Sequence, residues 1–204
     1  MITLKRFRRI EAVMRAEGYG HMIEWSEAIP RPAHAETFAE QAVYVICNSG
    51  MMNRVAEPIF NRCMAALTNG ISATAVFGHP GKAKAIDWIW GEREQLFATY
   101  LAEADPMNFL RSLPWIGGVT SFHLAKNLGA DVAKPDVHLE RLARRDRTDT
   151  HKLCARLSRQ TGYRIATIDT VLWRACADGL LDSTTYEQHG WKAAFNPKRF
   201  LSRI

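Results

Sequence analysis

The chain has 204 residues, 47% hydrophobic and 24% charged, so it can bury a core without disulfides or metals to hold it together. Its 27 Lys and Arg outnumber its 21 Asp and Glu, and the net charge of +6 suits a polyanionic partner such as nucleic acid. No apolar run approaches membrane-spanning length, and the basic N-terminus lacks the apolar stretch of a secretory signal. These properties exclude a membrane-spanning protein and a small protein that depends on disulfides for its stability.

The cysteines lie in separate apolar stretches and form no CxxC pair, which argues against a zinc or iron–sulfur site. They are Cys47, Cys63, Cys154 and Cys176. We expect buried thiols in a reduced, cytoplasmic protein.

Apolar residues recur every three or four positions along most of the chain, which is the spacing of one face of an α-helix. No alternating strand pattern extends beyond a few residues. Asp105 precedes Pro106 as an N-cap precedes a first-turn proline, and Gly129 stands where a helix would end. Thr167 is the candidate N-cap of a further helix that runs to Asp178. The sequence therefore predicts an all-α fold.

Two stretches are candidate boundaries between parts of the chain. Residues 28–33 contain two prolines that oppose a helix, and residues 144–150 are almost entirely polar. These seams predict a two-lobed helical fold, with a central lobe at residues 31–144 and a second lobe that combines residues 1–30 with 145–204. A cleft between the lobes is then expected.

The most informative segment is Leu113-Pro114-Trp115-Ile116-Gly117-Gly118-Val119-Thr120, which joins a predicted helix at residues 106–111 to another at 119–128. A tight, glycine-containing turn at the start of a helix leaves backbone N–H groups unpaired at the positive end of the helix dipole. Such a turn can hold a phosphate without reading base sequence. An ordinary corner between two helices, in which proline and glycine only break the helices, would explain the same residues.

A second segment, Pro135-Asp136-Val137-His138, places an aspartate directly before another amphipathic helix, 17 positions after Val119. Together the two segments resemble the helix-hairpin-helix DNA glycosylase superfamily. The hairpin of that family reads approximately L-P-G-I-G-x-x-T-A, and a catalytic Asp in a D-x-H-like context follows it. The specific part of the resemblance covers residues 105–145, and residues 38–49 look more loosely like the family's first barrel helix.

The resemblance implies that Asp136 is the catalytic carboxylate of an enzyme that flips a damaged or modified base out of double-stranded DNA and hydrolyses its glycosidic bond. Breaking the bond between deoxyribose C1′ and the base passes through an oxocarbenium-like state. A carboxylate near C1′ stabilises that state, and it can also orient the attacking water. An aspartate that only caps its helix would give the same local pattern.

Two positions depart from the family's pattern. Trp115 stands where the first hairpin glycine is usual. If phosphate binding needs the backbone conformation of that glycine, the hairpin must bind phosphate in a different way here. Val119 stands where bifunctional members carry a Schiff-base lysine, which favours a monofunctional enzyme that leaves the abasic strand intact. The nearest general resemblance is to alkylpurine glycosylases and to related proteins that remove hypermodified bases from phage DNA.

A glycosylase needs side chains that hold the flipped base and side chains that hold the DNA backbone. Core packing or helix capping also explains most of the candidates for the base pocket, which are Glu40, Gln41, Tyr44, Asn48, Trp115, Phe122, Asp169 and Trp173. The candidates for DNA contact are Leu113, Pro114, Trp115, Ile116, Gly117, Gly118, Thr120, Lys126, Lys134 and His138, with Arg54, Lys82, Arg141, Arg144 and Arg145 as further basic residues. The basic run at residues 196–203 is predicted to be a surface tail.

Two other functions stay open at this stage. A bifunctional glycosylase/lyase would use another lysine, Lys82 or Lys134, and a non-catalytic module would use the hairpin only to hold the DNA backbone. Seven scattered histidines offer no ligand cluster. We therefore expect no cofactor beyond, at most, a structural monovalent cation at the hairpin. We expect a monomer.

Overall fold

The computed structural model describes residues 1–197, and the predicted all-α fold is confirmed: these residues form thirteen α-helices, one short 3-10 turn at Ala73–Ala75 and no β-strand. The first eight helices are α1 (Leu4–Ala16), α2 (Gly20–Ala28), α3 (Ala35–Asn48), α4 (Asn53–Thr68), α5 (Pro80–Gly91), α6 (Arg93–Ala102), α7 (Pro106–Ser112) and α8 (Thr120–Asn127). The last five are α9 (Val137–Arg145), α10 (Thr150–Thr161), α11 (Ile165–Ala177), α12 (Ser183–His189) and α13 (Trp191–Ala194). Within the described part of the chain, no helix has the length and apolar character needed to cross a membrane.

The contacts divide the chain into two compact units. The central unit is Pro30–Gly129 and contains α3 to α8, whereas the terminal unit combines Met1–Ile29 with the chain from Ala130 onward. The first division lies within the predicted seam at residues 28–33, one residue before the predicted start of the central lobe. The second lies 15 residues before the predicted boundary at residue 144, because α9 buries three apolar residues in the core of the terminal unit. The helix that follows Asp136 therefore belongs to the terminal unit, and the expected cleft stays a prediction.

In the central unit, α3 is the helix against which α4, α5, α6 and α8 pack. It buries a nearly continuous apolar face, which follows from the helical spacing of its apolar residues. The Phe38 ring lies against the rings of Phe97, Tyr100 and Phe109, with ring centroids 5.3 to 6.5 Å apart. The core of this unit is thus apolar and strongly aromatic.

The two ends of the central unit meet at Pro30 and Gly129. Gly129 has φ 81 and ends α8, as the sequence predicts. A Cβ atom on Gly129 would lie 2.8 Å from the carbonyl oxygen of Pro30, so any other residue would have to push the two chain segments apart.

The terminal unit has one core, to which both α1 and the helices after Ala130 contribute. Beside it lies the Asp146 carboxylate, which is 1% exposed. This carboxylate accepts hydrogen bonds from the Ile2 N–H (2.6 Å) and the Tyr186 hydroxyl (2.7 Å), and it lies 3.6 Å from the Arg156 guanidinium. Asp146 therefore ties the start of the chain to the end of α9 and to α12.

The start of α11 differs from the prediction. Thr167 is not its N-cap but lies inside the helix, which begins at Ile165 after an extended Arg164. The Asp131 carboxylate accepts a hydrogen bond from the Ala166 N–H (2.9 Å) and so supplies the cap from a distant part of the chain. A local capping pattern cannot reveal such a partner.

Candidate functional site

Asp136 precedes α9 in an extended conformation and caps it, as predicted. Its Oδ1 atom accepts hydrogen bonds from the N–H groups of His138 (3.0 Å) and Leu139 (3.1 Å). Its Oδ2 atom lies 3.9 Å from the Lys134 Nζ atom and accepts no hydrogen bond from any described residue. The side chain is 12% exposed. One carboxylate oxygen is therefore fixed by the helix, while the other can accept a further donor.

The loop before Asp136 is fastened to α11 at two points. Besides the Asp131 bond to Ala166, the Lys134 N–H donates a hydrogen bond to Asp169 Oδ1 at 3.0 Å. Asp169 is only 2% exposed. This residue was a candidate for reading the base, and in the structure its carboxylate instead holds the backbone two residues before Asp136. Asp169 thus fixes where Asp136 stands relative to α11.

Two further candidates, Lys134 and His138, flank Asp136. Burial lowers the pKa of the Lys134 ammonium, and the nearby Asp136 carboxylate opposes part of that shift. The His138 Nδ1 atom lies 2.8 Å from the Ser183 hydroxyl, which joins α9 to α12. His138 therefore uses one ring nitrogen within the terminal unit and has the other left for a further contact.

The informative turn lies between α7 and α8, and both helices begin and end within one residue of the prediction. Asp105 caps α7, because its Oδ1 atom accepts from the two N–H groups that follow Pro106. In the turn itself, the Gly117 N–H donates to Thr120 Oγ1 at 2.7 Å. The next three N–H groups, at residues 118–120, meet no acceptor among the described residues. They are the unpaired donors that such a turn is expected to present.

Trp115 keeps the backbone conformation that a glycine would favour at this position. Its φ is 64°, in the left-handed region, which costs a non-glycine residue about 1 to 2 kcal/mol. The indole is 46% exposed and meets the His79 ring edge-on, with centroids 5.0 Å apart. It also covers Gly81, where a Cβ atom would lie 2.9 Å from the indole Cζ2 atom. Trp115 therefore holds a backbone conformation typical of glycine despite its large side chain.

A cavity of about 490 Å³ adjoins Trp115 within the central unit. Its lining residues are Ser49, Trp115, Ile116, Gly117, Val119 and Thr120. The Ser49 carbonyl oxygen accepts a hydrogen bond from Lys82 Nζ at 2.5 Å. Lys82 is 4% exposed, burial lowers its pKa, and none of its contacts within the described residues is a carboxylate. A buried ammonium without a counterion thus lies behind one wall of the cavity.

The candidates for the base pocket are divided between the two units. Tyr44 and Asn48 lie one turn apart on α3, where the Tyr44 hydroxyl donates to Asn53 Oδ1 (2.9 Å) and Asn48 Nδ2 donates to the Tyr44 carbonyl oxygen (3.0 Å). Glu40 and Gln41 are half-buried on the same helix. Tyr44 and Asn48, two of the residues predicted to line the base pocket, are therefore already engaged in hydrogen bonds within the protein.

The two remaining aromatic candidates both carry an arginine over one ring face. Arg111 lies over the Phe122 ring at 5.6 Å in the central unit. Arg174 lies over the Trp173 ring at 4.9 Å in the terminal unit, where Trp173 packs against the core. Trp115 remains the base-pocket candidate whose ring is most exposed.

The predicted DNA contacts on the turn are of two kinds. Leu113 and Ile116 are each 3% exposed and belong to the core, whereas the glycines after them are exposed. Pro114, Thr120 and Lys126 are half-buried. Among the predicted contacts, the glycine backbone and the indole of Trp115 are thus the most exposed parts of the turn.

The further basic candidates differ in whether they already form ion pairs or hydrogen bonds within the protein. Arg141 and Arg144 form ion pairs with Glu187, and Arg145 donates to the carbonyl oxygens of residues 187 and 188. Arg54 is exposed on α4. The basic tail predicted at residues 196–203 lies almost entirely outside the described residues.

The groups that could act on a ligand are the Asp136 carboxylate in the terminal unit and the unpaired N–H groups, the indole and the ammonium in the central unit. Between residues 1 and 197, no three His, Cys, Asp or Glu side chains gather in a way that could hold a metal ion. No protein-family model, no curated protein and no solved structure matches this chain.

Proposed function

We propose that the protein is a DNA glycosylase of the helix-hairpin-helix type, in which Asp136 supports hydrolysis of the bond between a damaged or modified base and its deoxyribose. The observation that carries this proposal is the geometry of Asp136. Two N–H groups fix Oδ1, and Oδ2 has no hydrogen bond within the described chain although the side chain is mostly buried. Helix capping uses only Oδ1, whereas Oδ2 lies 3.9 Å from the Lys134 ammonium and can still accept a hydrogen bond.

In the proposed reaction, Asp136 Oδ2 faces C1′ of a nucleotide that has been flipped out of the duplex. As the C1′–N bond breaks, its electron pair leaves with the base, and positive charge develops on the sugar. The carboxylate stabilises that charge and orients a water molecule, whose oxygen bonds to C1′ while its proton passes to the carboxylate or to solvent. The departing base takes up a proton, and the products are the free base and an abasic site.

The turn between α7 and α8 supports the choice of DNA as the partner. Its three unpaired N–H groups at the start of α8 suit a phosphate of the DNA backbone, as the resemblance implies. The φ of 64° at Trp115 also fits a position where that family has glycine. We accordingly propose double-stranded DNA as the substrate and the cytoplasm as the site of action, in repair or in defence against phage DNA.

The first experiment measures base release from duplex oligonucleotides that carry single alkylated, oxidised, deaminated or glucosylated bases. Strand breakage is scored with and without hot alkali, because hydrolysis alone leaves an intact abasic strand. We expect breakage only after alkali with at least one substrate, and a loss of about 100-fold or more in Asp136→Asn.

The matched control is Asp105→Asn. Asp105 caps α7 through one oxygen and two N–H groups, as Asp136 caps α9, and asparagine is an equally good N-cap. Asp105→Asn should retain full activity. Equal activity of Asp136→Asn and the native protein would remove the catalytic role, and binding without base release would leave the hairpin as a DNA-binding module.

A lyase step is the second candidate, and the position of Lys134 favours it over other lysines. Its Nζ atom lies 3.9 Å from Asp136 Oδ2, and burial favours the neutral amine that a Schiff base requires. Borohydride treatment during turnover would trap this amine on the sugar. For the monofunctional enzyme that Val119 indicates, we expect no trapped adduct, whereas an adduct that disappears in Lys134→Ala would establish a bifunctional one.

A further inference from the structure

We infer that the cavity beside Trp115 holds one unpaired nucleotide of a DNA strand, with its base stacked on the indole and its phosphate facing the start of α8. This inference rests on the proposed function in taking DNA as the ligand. It adds a nucleotide-binding site in the central unit, built from groups that the proposed hydrolysis at Asp136 does not use.

The indole is held as a rigid platform. Its edge meets His79, one part of the ring covers Gly81, and almost half of the side chain is exposed beside the cavity. Exposed aromatic faces of this kind stack unpaired bases of any sequence. The left-handed backbone at Trp115 is the conformation that glycine adopts without strain, so the protein keeps a large ring at a position that disfavours it.

The size and lining of the cavity suit a base with its sugar. Its volume is about 490 Å³, and it is widely open to solvent, so a ligand would lie against its lining without being enclosed. Val119 is 43% exposed at its edge, while the Thr120 hydroxyl and the Ser49 backbone supply polar groups at the walls. The lining thus combines apolar surface for a base with polar groups for a sugar.

The charge around the cavity calls for an anion. Three N–H groups at the start of α8 have no acceptor in the described chain, and the Lys82 ammonium behind Ser49 has no carboxylate partner there. The first turn of α5 contacts Trp115, because His79 accepts the Lys82 N–H and packs its ring against the indole. Buried or unpaired donors of this kind are stabilised by negative charge.

A nucleotide supplies both features at once, because its planar base and its phosphate are joined by one sugar. In a fully paired duplex, the pairing and stacking of a base must first be broken before that base can reach the indole, whereas a bulged nucleotide carries a smaller cost. The site should therefore distinguish DNA with an unpaired base from perfectly paired DNA.

The test compares the affinity of the full chain for two labelled duplexes of unmodified bases, one perfectly paired and one with a single bulged nucleotide. Fluorescence anisotropy gives Kd for the native protein, Trp115→Gly and Trp88→Ala. Trp88 is the matched control, because it is 47% exposed in the same unit and does not line the cavity.

We expect the native protein to bind the bulged duplex more tightly than the paired one. Trp115→Gly should weaken binding of the bulged duplex by about 10-fold or more and change binding of the paired duplex by less than about twofold. Because glycine relieves the backbone strain, Trp115→Gly should melt at the same temperature as the native protein or higher. Trp88→Ala should bind both duplexes as the native protein does.

Two results would overturn the inference. One is a native protein that binds both duplexes equally, and the other is a Trp115→Gly variant that loses affinity for both duplexes to the same extent. If base release in the assay above still depends on Asp136, the glycosylase proposal survives either result. A native protein that binds neither duplex and releases no base removes both proposals.

Discussion

The central and terminal units differ most in how they use charge. Counted from the sequence, the central unit has 8 Lys and Arg and 8 Asp and Glu, whereas the rest of the chain has 19 against 13. The whole net charge of +6 therefore belongs to the terminal unit, while the cavity and the unpaired N–H groups lie in the neutral one. Under the two proposals above, long-range attraction to DNA and local recognition of one nucleotide would therefore fall to different parts of the chain.

The interiors of the two units differ in the same way. The terminal unit buries the carboxylates of Glu11, Asp146 and Asp169, each with hydrogen-bond partners. The central unit buries the Lys82 ammonium and otherwise an apolar, aromatic core. We therefore expect the stability of the central unit to depend most on apolar packing. The stability of the terminal unit should depend more on its buried hydrogen bonds and on pH.

The largest effect is expected in the central unit for Phe38→Ala. The Phe38 ring lies on the buried face of α3 and meets three other aromatic rings. Removing it leaves a cavity that lowers the free energy of unfolding by about 3 to 5 kcal/mol. Urea unfolding measures the free energy of unfolding, and the backbone amides of α3 and α6 should exchange their hydrogens faster in the variant. Val55→Ala, at a side chain that is 45% exposed, is the control and should cost less than about 1 kcal/mol. A similar small cost for Phe38→Ala would mean that aromatic packing does not hold this unit together.

A somewhat smaller effect is expected in the terminal unit for Asp146→Ala. The change leaves the Ile2 N–H and the Tyr186 hydroxyl without their acceptor, which costs about 2 to 4 kcal/mol. Asp149→Ala removes an exposed cap of α10 and should cost only about 1 kcal/mol. Equal costs for the two variants in urea unfolding would contradict the role given to buried polar bonds.

The smallest expected effect is the change in stability with pH that Glu11 causes in the terminal unit. Burial alone would raise the pKa of Glu11, but hydrogen bonds from Tyr163, Arg8 and Arg15 outweigh it and hold the pKa below its ordinary value of 4.5. The resulting stability is present above about pH 4.5 and is lost as the pH falls through the lower pKa of the folded state.

Glu11→Gln should therefore lower the free energy of unfolding by about 1 kcal/mol at pH 7 and flatten its decline in acid. Denaturant unfolding between pH 7 and pH 3 measures both quantities. Glu24→Gln, at a side chain that is 74% exposed, should leave the pH profile unchanged. A Glu11→Gln profile that declines as steeply as the native one would place the acid-sensitive groups elsewhere.

Local features of the fold could be predicted from the sequence because each depends on residues within one or two helical turns. Asp105 and Asp136 cap the helices that follow them, Gly129 ends α8, and the four cysteines are buried and free. The helices on either side of the turn at residues 113–119 also begin and end where predicted. Helical spacing and capping chemistry suffice for all of these.

Features that depend on distant partners were not predictable in this way. The hydrogen bonds that Asp131 and Asp169 accept, and that fasten the loop before Asp136, each join residues 35 positions apart. The assignment of α9 to the terminal unit depends on which core receives its apolar face. The left-handed backbone at Trp115 was not predictable from its residue type either, because residues other than glycine rarely adopt that conformation.

The meeting of Pro30 and Gly129 has a consequence for the order in which the protein forms. The central unit is one continuous stretch whose two ends lie side by side, so all of its helices exist once synthesis has passed Gly129. By contrast, α1 packs against α10 and α11, which are made only after the whole central unit. A nascent chain halted before α10 would therefore carry a finished central unit, while Phe7 and Ile10 of α1 would lack both of the later helices against which α1 packs.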